Sequence, residues 1–191
     1  MMKVFYSYLG AIFLLVSCSV IMVSTTHAEL VGYWKLDGDF TDSSGNGNDG
    51  ELFGGAVFSR SIPDVVGTGQ SVAFDGTPGT YGSINHGEGG IAITTVPSYT
   101  VSMWVKADGT IDNVDDRIFS EAMTTNNSPL FNMGTKDNGV DGTVDLYVRN
   151  GAATGHQYSN GEAFDGTWHH VAWVDNEGIL DLYIDGVFDK Q

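Results

Sequence analysis

The chain has 191 residues, one cysteine and a formal net charge of −16 at pH 7. This length fits one domain of the usual ~100–200 residues, and the lone Cys18 excludes a disulfide within the chain. So strong a negative charge also argues against partners rich in phosphate, because nucleic acid and anionic lipid would be repelled.

Residues 1–28 have the composition of an export signal. Lys3 precedes a long apolar run, and the run ends in Thr26-His27-Ala28. A charged start, an apolar centre and a small last residue are typical of a secretory signal peptide. We therefore expect a secreted or cell-surface protein whose mature domain covers residues 29–191, with no membrane span.

Two alternatives to a cleaved signal stay open, and both also export the protein. The apolar run approaches the roughly 20 residues that a membrane span requires, so it could remain as an anchor. In addition, Leu15-Val16-Ser17-Cys18 resembles a bacterial lipobox. In that case Cys18 would carry a lipid at a new N-terminus.

Short apolar runs separated by glycine-rich turns make up the rest of the chain. Its 26 glycines are dispersed among Asp-Gly and Asn-Gly pairs, which is typical of all-β proteins. About ten strands of ordinary length would form an open sandwich. The expected strands cover residues 30–36, 51–58, 71–74, 81–85, 91–93, 99–106, 117–121, 130–133 and 144–149, and a hairpin covers residues 166–186.

The hairpin is the strongest local signal in the sequence. In its second strand Leu180, Leu182 and Ile184 alternate with polar residues, so one face should be buried. Its first strand carries apolar residues on both faces and should therefore lie centrally in a sheet.

Six motifs follow one another in this part of the chain. They are Tyr33–Asp37 (YWKLD), Asp42–Gly50 (DSSGNGNDG), Val72–Gly76 (VAFDG), Tyr99–Lys106 (YTVSMWVK), Gly166–Ala172 (GTWHHVA) and Leu182–Gly186 (LYIDG). In order and spacing they resemble a concanavalin A-like, laminin G-type (LamG) jelly-roll domain. The resemblance implies an all-β sandwich of two antiparallel sheets that binds carbohydrate or protein, often as an accessory module of larger exported bacterial proteins.

The resemblance also implies further strands after the LYIDG motif, whereas this sequence ends at Gln191. We therefore expect a domain that is incomplete at its C-terminus and belongs to a longer protein. On this interpretation the partner of the outer hairpin strand lies beyond Gln191, and a catalytic or anchoring region could follow it.

A candidate ligand site comes from outward-facing residues on two of the strands. Trp104 lies on the polar side of its strand, while Asp145, Tyr147 and Arg149 lie on the outward side of theirs. Aromatic rings stack on the apolar faces of sugars, and polar groups bind the hydroxyls. We predict that these four residues bind a glycan or another surface ligand. In the alternative, Trp104 packs under a loop or against a neighbouring strand.

Four other aromatic residues have separate expectations. His156 and Tyr158 could lie at the rim of the same site. His169 and His170 are adjacent on a strand, so their side chains face opposite sides and do not chelate one ion easily. Structural hydrogen bonding is their expected role.

The loop from Asp42 to Gly50 is rich in oxygen-bearing side chains. Calcium takes about 6–8 oxygen ligands, and the jelly-roll resemblance makes a structural Ca²⁺ reasonable. We predict Asp37, Asp42 and Asn46 as its ligands. The alternative is a tight turn in which Asp and Asn side chains cap their own backbone.

No catalytic pattern stands out. The Glu-x-Asp-x-x-Glu pattern of related glucanases is absent, and Asp181 and Asp185 are too far apart on one strand for paired-carboxylate chemistry. We therefore predict a non-catalytic, exported module that binds a glycan or a surface protein. The alternatives are an accessory part of a larger glycan-active enzyme and a purely structural or adhesive module.

Overall fold

A computed structural model describes residues 28–84, 96–107, 116–122, 130–135, 142–150 and 152–191. The expected signal segment, apart from Ala28, and the expected strand 91–93 lie outside these residues. Within them the regular structure is β-strand, apart from one 3-10 turn at Asp64–Val66, so the all-β prediction is confirmed. No helix of the described part is long and apolar enough to cross a membrane.

The N-terminal part contains two small antiparallel sheets. One pairs β1 (Gly50–Phe53) with β4 (Tyr81–Ile84), and the other pairs β2 (Val57–Ser59) with β3 (Ser71–Ala73). The expected single strand over residues 51–58 is therefore divided, because the chain turns at Gly54, whose φ is 64°.

The expected first strand over residues 30–36 is wrong. Only an isolated bridge between Trp34 and Asp42 forms there, and the Trp34 indole N–H donates to the Asn48 carbonyl. Positive φ angles at Leu36 (57°) and Gly38 (88°) bend the chain directly afterwards. The aromatic run therefore folds over its own loop instead of pairing along a neighbour.

Eight further strands form two four-stranded antiparallel sheets. The first sheet has the order β12-β11-β10-β5 and the second the order β6-β7-β8-β9. Their bounds are β5 Ser98–Val105, β6 Arg117–Ala122, β7 Leu130–Thr135, β8 Thr143–Asn150, β9 Ala152–Glu162, β10 His169–Asn176, β11 Ile179–Ile184 and β12 Val187–Lys190.

The core lies between these two sheets. Val171 and Trp173 of β10 are fully buried, as are Phe131 and Met133 of β7. The Phe131 and Trp173 rings meet edge to face with centroids 4.6 Å apart, so the sheets pack directly against each other. Burying such a side chain contributes roughly 1.5–3 kcal/mol. The predicted jelly-roll sandwich is therefore confirmed.

Strand β10 pairs with β5 on one side and β11 on the other, which confirms its central position. The expectation that β11 lacks an outer partner is wrong, because β12 pairs with it through Ile184 and Val187. The Asp189 carboxylate in β12 also accepts the backbone N–H groups of Asn160 and Gly161. The last strand thus connects its own sheet to the edge of the second sheet.

Candidate functional site

The outward side of the second sheet carries a continuous set of polar and aromatic residues. Val144 and Leu146 of β8 are buried in the core, so the alternating Asp145, Tyr147 and Arg149 face away from it, as predicted. Across the strands, Tyr147 pairs with Asn132 on β7 and with His156 on β9. We call this surface the Tyr147 face; its members are Ser120, Asn132, Asp145, Tyr147, Arg149, His156 and Tyr158.

Three aromatic rings form a row on the Tyr147 face. The Tyr147 and His156 centroids are 4.8 Å apart with their planes tilted by 36°. His156 and Tyr158 are 6.2 Å apart and nearly parallel, at 17°. Phenol and imidazole groups are therefore adjacent on this face. Together they offer a ligand both aromatic surface and polar atoms.

A buried carboxylate holds the middle ring in place. Asp145 is only 4% exposed, although it lies on the side of the sheet away from the core. Its Oδ2 lies 2.6 Å from Nδ1 of His156, a short hydrogen bond of the charge-assisted kind. The expected rim residues His156 and Tyr158 are thus brought next to Asp145 and Tyr147.

Two polar residues of this face were missed by sequence reasoning. Asn132 is 6% exposed, and its Oδ1 accepts a hydrogen bond of 2.6 Å from the Ser120 hydroxyl on β6. The only sequence signal was an asparagine inside the apolar run LFNM. Such an asparagine alone does not reveal which side of the sheet it faces.

Trp104 does not join the other three predicted ligand-binding residues. It lies on β5, in the first sheet, and alternates with the buried Val105, so it faces away from the core on the opposite side of the sandwich. The residue is 40% exposed, and its ring meets the His170 ring with centroids 5.3 Å apart. This is the alternative arrangement, in which Trp104 packs against a neighbouring strand.

Among the predicted calcium ligands, the Asp42 carboxylate is surrounded by hydrogen-bond donors. Oδ1 of Asp42 accepts the backbone N–H groups of Tyr33 and Ser44, and Oδ2 accepts the Asn48 N–H and the Ser44 hydroxyl. Hydrogen-bond donors therefore point at both oxygens, where a cation would need bare lone pairs. Burial opposes ionisation of Asp42, but these donors outweigh it and hold its pKa well below the usual range.

The other two predicted ligands, Asp37 and Asn46, have surroundings of their own. The Asn46 amide donates to the carbonyls of Leu30 and Val31, and Asp37 lies next to Gly69. In the described ranges, no group of three His, Cys, Asp or Glu side chains could hold a metal ion. Calcium binding by the domain stays a prediction, and calcium calorimetry after chelation tests it.

His169 connects two aspartates at one end of β10. Its Nδ1 lies 2.7 Å from Oδ2 of Asp185, and its Nε2 lies 3.1 Å from Oδ1 of Asp165. Burial disfavours the charged ring, but both hydrogen bonds outweigh this and raise the pKa of His169. The carboxylates bond opposite ring nitrogens, so they do not surround one ion. The predicted structural role fits this geometry.

The fold is a two-sheet jelly roll of the class that contains lectins and glucanases. A family model for the concanavalin A-like lectin/glucanases superfamily, Laminin_G_3, matches residues 75–191. The chain therefore belongs to this family, as the sequence motifs predicted. No characterised protein sequence gives a significant match.

Two solved structures share the fold. One is domain 4 of AbnA, a GH43 extracellular arabinanase from Geobacillus stearothermophilus, in complex with arabinotriose; the TM-score is 0.52 at 20% identity, covering 78% of this chain and 68% of that chain. The other is the binding domain of Paraclostridial Mosquitocidal Protein 1, with a TM-score of 0.58 at 14% identity. That likeness covers 83% of this chain and 38% of the other. Both chains are thus similar to this one in fold.

Proposed function

We propose that this protein is an exported, non-catalytic module that binds a neutral oligosaccharide on the Tyr147 face. The observation that carries the proposal is the row formed by Tyr147, His156 and Tyr158 beside the buried Asp145. Phenol and imidazole edges bind sugar hydroxyls, and the outer ring faces contact apolar ring hydrogens.

The likeness in fold to an arabinanase domain in complex with arabinotriose supports a glycan as the ligand. The charge of the chain supports a neutral glycan, because a net charge of −16 repels uronic acids and sulfated sugars. Arabinotriose is therefore the first probe to use. The apolar run after Lys3 supports export to the surface or the medium, where such polysaccharides are found.

The test is direct binding to a panel of oligosaccharides. Calorimetry should give a saturable signal for at least one neutral member of a set containing arabino-, xylo-, manno- and gluco-oligosaccharides. The acidic controls, oligogalacturonate and a sulfated disaccharide, should give none. No binding by any neutral member, or a preference for the acidic ones, would contradict the proposal.

A further inference from the structure

We propose that Asn132 binds a ligand hydroxyl from the floor of the Tyr147 face, and that Ser120 fixes the orientation of its amide. This inference rests on the proposed function and adds a specificity-determining residue to it.

The first reason for this inference is the side of the sheet on which Asn132 lies. Its neighbours Phe131 and Met133 point into the core, so Asn132 points to the opposite side, where it pairs with Tyr147. It is nevertheless only 6% exposed. Its oxygen accepts a hydrogen bond from Ser120. Its amide nitrogen makes no hydrogen bond to another described residue, yet it is not one of their enclosed unpaired atoms, so it is accessible from this face.

The contact with Ser120 carries the second step. An amide side chain can present either its oxygen or its nitrogen in a given direction. A serine hydroxyl can donate or accept, and here the Ser120 hydroxyl donates to Oδ1 at 2.6 Å. The oxygen therefore lies on the β6 side, and Nδ2 is the donor offered to the rest of the face. An oligosaccharide lying beside Tyr147 would offer this nitrogen an acceptor through a hydroxyl or ring oxygen.

The chain contains a matched control for this arrangement. Ser98 and Asn176 pair across β5 and β10 in the other sheet, and their side chains also make a serine-to-asparagine-oxygen contact, at 3.5 Å. Both are exposed to solvent. The same substitutions at this second pair change the same chemical groups away from the Tyr147 face.

The experiment titrates the wild type, Asn132→Asp, Ser120→Ala, Asn176→Asp and Ser98→Ala with arabinotriose, or with the panel oligosaccharide that the wild type binds most tightly. Asn132→Asp keeps the oxygen that Ser120 contacts and replaces the donor with an acceptor. We expect it to weaken binding about tenfold or more, and Ser120→Ala about threefold. The two control variants should bind like the wild type.

A second readout separates a ligand contact from a structural effect. The same titrations are repeated with singly deoxygenated forms of the probe, which completes a double-mutant cycle between protein and ligand. Removal of one particular oxygen from the probe should weaken binding by the wild type. It should have little further effect on binding by Ser120→Ala or Asn132→Asp. Ser120 is exposed, so its variant provides the test if Asn132→Asp fails to fold.

The outcomes separate this inference from the proposed function. Binding by the wild type, with the Asn132 and Ser120 variants matching it, would overturn the inference alone. The inference would also be overturned if the two variants bound more weakly but lost as much affinity as the wild type for every deoxygenated probe. Absence of any binding by the wild type would overturn the proposed function and the inference together.

Discussion

His169 shows how one side chain ties three segments of this domain together. Its ring bonds Asp165 in the loop before β10 and Asp185 in the turn after β11. Two carboxylates can both accept from the ring only when both of its nitrogens carry hydrogen, and the ring is then charged. The stability of this cluster should therefore depend on pH.

The pKa shifts of His169 and Asp165 determine whether the stability of the cluster rises or falls with pH. The raised pKa of His169 gives stability that is complete below the unfolded value of about 6.5 and is lost as the pH rises through the folded value. Asp165, whose pKa the Thr167 hydroxyl and N–H lower to about 2, acts in the opposite direction. Its contribution is present above about pH 4 and is lost as the pH falls toward 2.

The corresponding prediction concerns His169→Gln. Near pH 5 to 6 this variant should lower the free energy of unfolding by about 1 kcal/mol, a value reduced for the partial exposure of the cluster. The difference from wild type should shrink toward pH 9, where the wild-type ring has lost its proton. Urea unfolding at the two pH values measures it. A difference that is equal at pH 5 and pH 9 would show that the ring acts only by packing.

For single residues, the sequence predicted which side of a sheet a side chain faces better than how deeply that side chain is buried. Strand alternation placed Asp145 and Tyr147 outward correctly, because it depends only on the local backbone. The burial of Asp145 and Asn132 depends on how distant parts of the chain assemble, which local alternation does not contain. The same holds for Asp42, whose carboxylate resembles a calcium ligand until its backbone donors are located.

The two hairpin turns that flank strand β11 differ in how readily their residues adopt positive φ angles. The β11–β12 turn is Asp185-Gly186, with φ of 52° and 76°, and these residue types tolerate positive φ. The β10–β11 turn is Glu177-Gly178, with φ of 54° and 90°. Glutamate has no such preference, so this turn carries local strain.

We therefore predict that Glu177→Asn stabilises the domain. Asparagine adopts positive φ more readily than glutamate, and the gain should be about 0.5–1 kcal/mol in the free energy of unfolding. Thermal and urea unfolding measure it. Glu162→Asn, in strand β9 outside any positive-φ position, is the control and should not stabilise. Equal effects of the two substitutions would contradict the explanation from turn geometry.

Most strands of the sandwich could be predicted because their alternation and turn residues are local. Strand β12 (Val187–Lys190, VFDK) was missed because it has only 4 residues, and its apolar and polar side chains do not alternate. The prediction for residues 30–36 failed in the opposite way, because a strand was expected where none forms. Their strand-like composition is overridden by the Asp42 hydrogen bonds and by the bend at Leu36.

At the scale of the whole molecule, the two four-stranded sheets form a sandwich with two outward faces, and the sequence could not assign residues between these faces. Alternation shows that Trp104 and Tyr147 both point away from the core, but not which sheet each strand joins. That depends on pairing between segments distant in sequence, such as β5 with β10. The predicted ligand site therefore combined residues from opposite sides of the molecule.

The assembled fold favours the Tyr147 face as the ligand surface that we propose. The Tyr147 face gathers three rings, a buried carboxylate and a buried amide. The opposite face offers Trp104 against His170. A carbohydrate-binding surface requires several groups that converge on one ligand. The second sheet brings such groups together among the described residues, which supports the proposed site.

The most direct measurement compares these two faces in one calorimetric experiment. The panel oligosaccharide bound by the wild type is titrated into Tyr147→Ala and Trp104→Ala, each checked for folding by its unfolding curve. We predict that Tyr147→Ala weakens binding about tenfold or more, through loss of the ring contact, and that Trp104→Ala binds like the wild type. Loss of binding in Trp104→Ala, with wild-type affinity in Tyr147→Ala, would contradict the assignment of the site to the Tyr147 face.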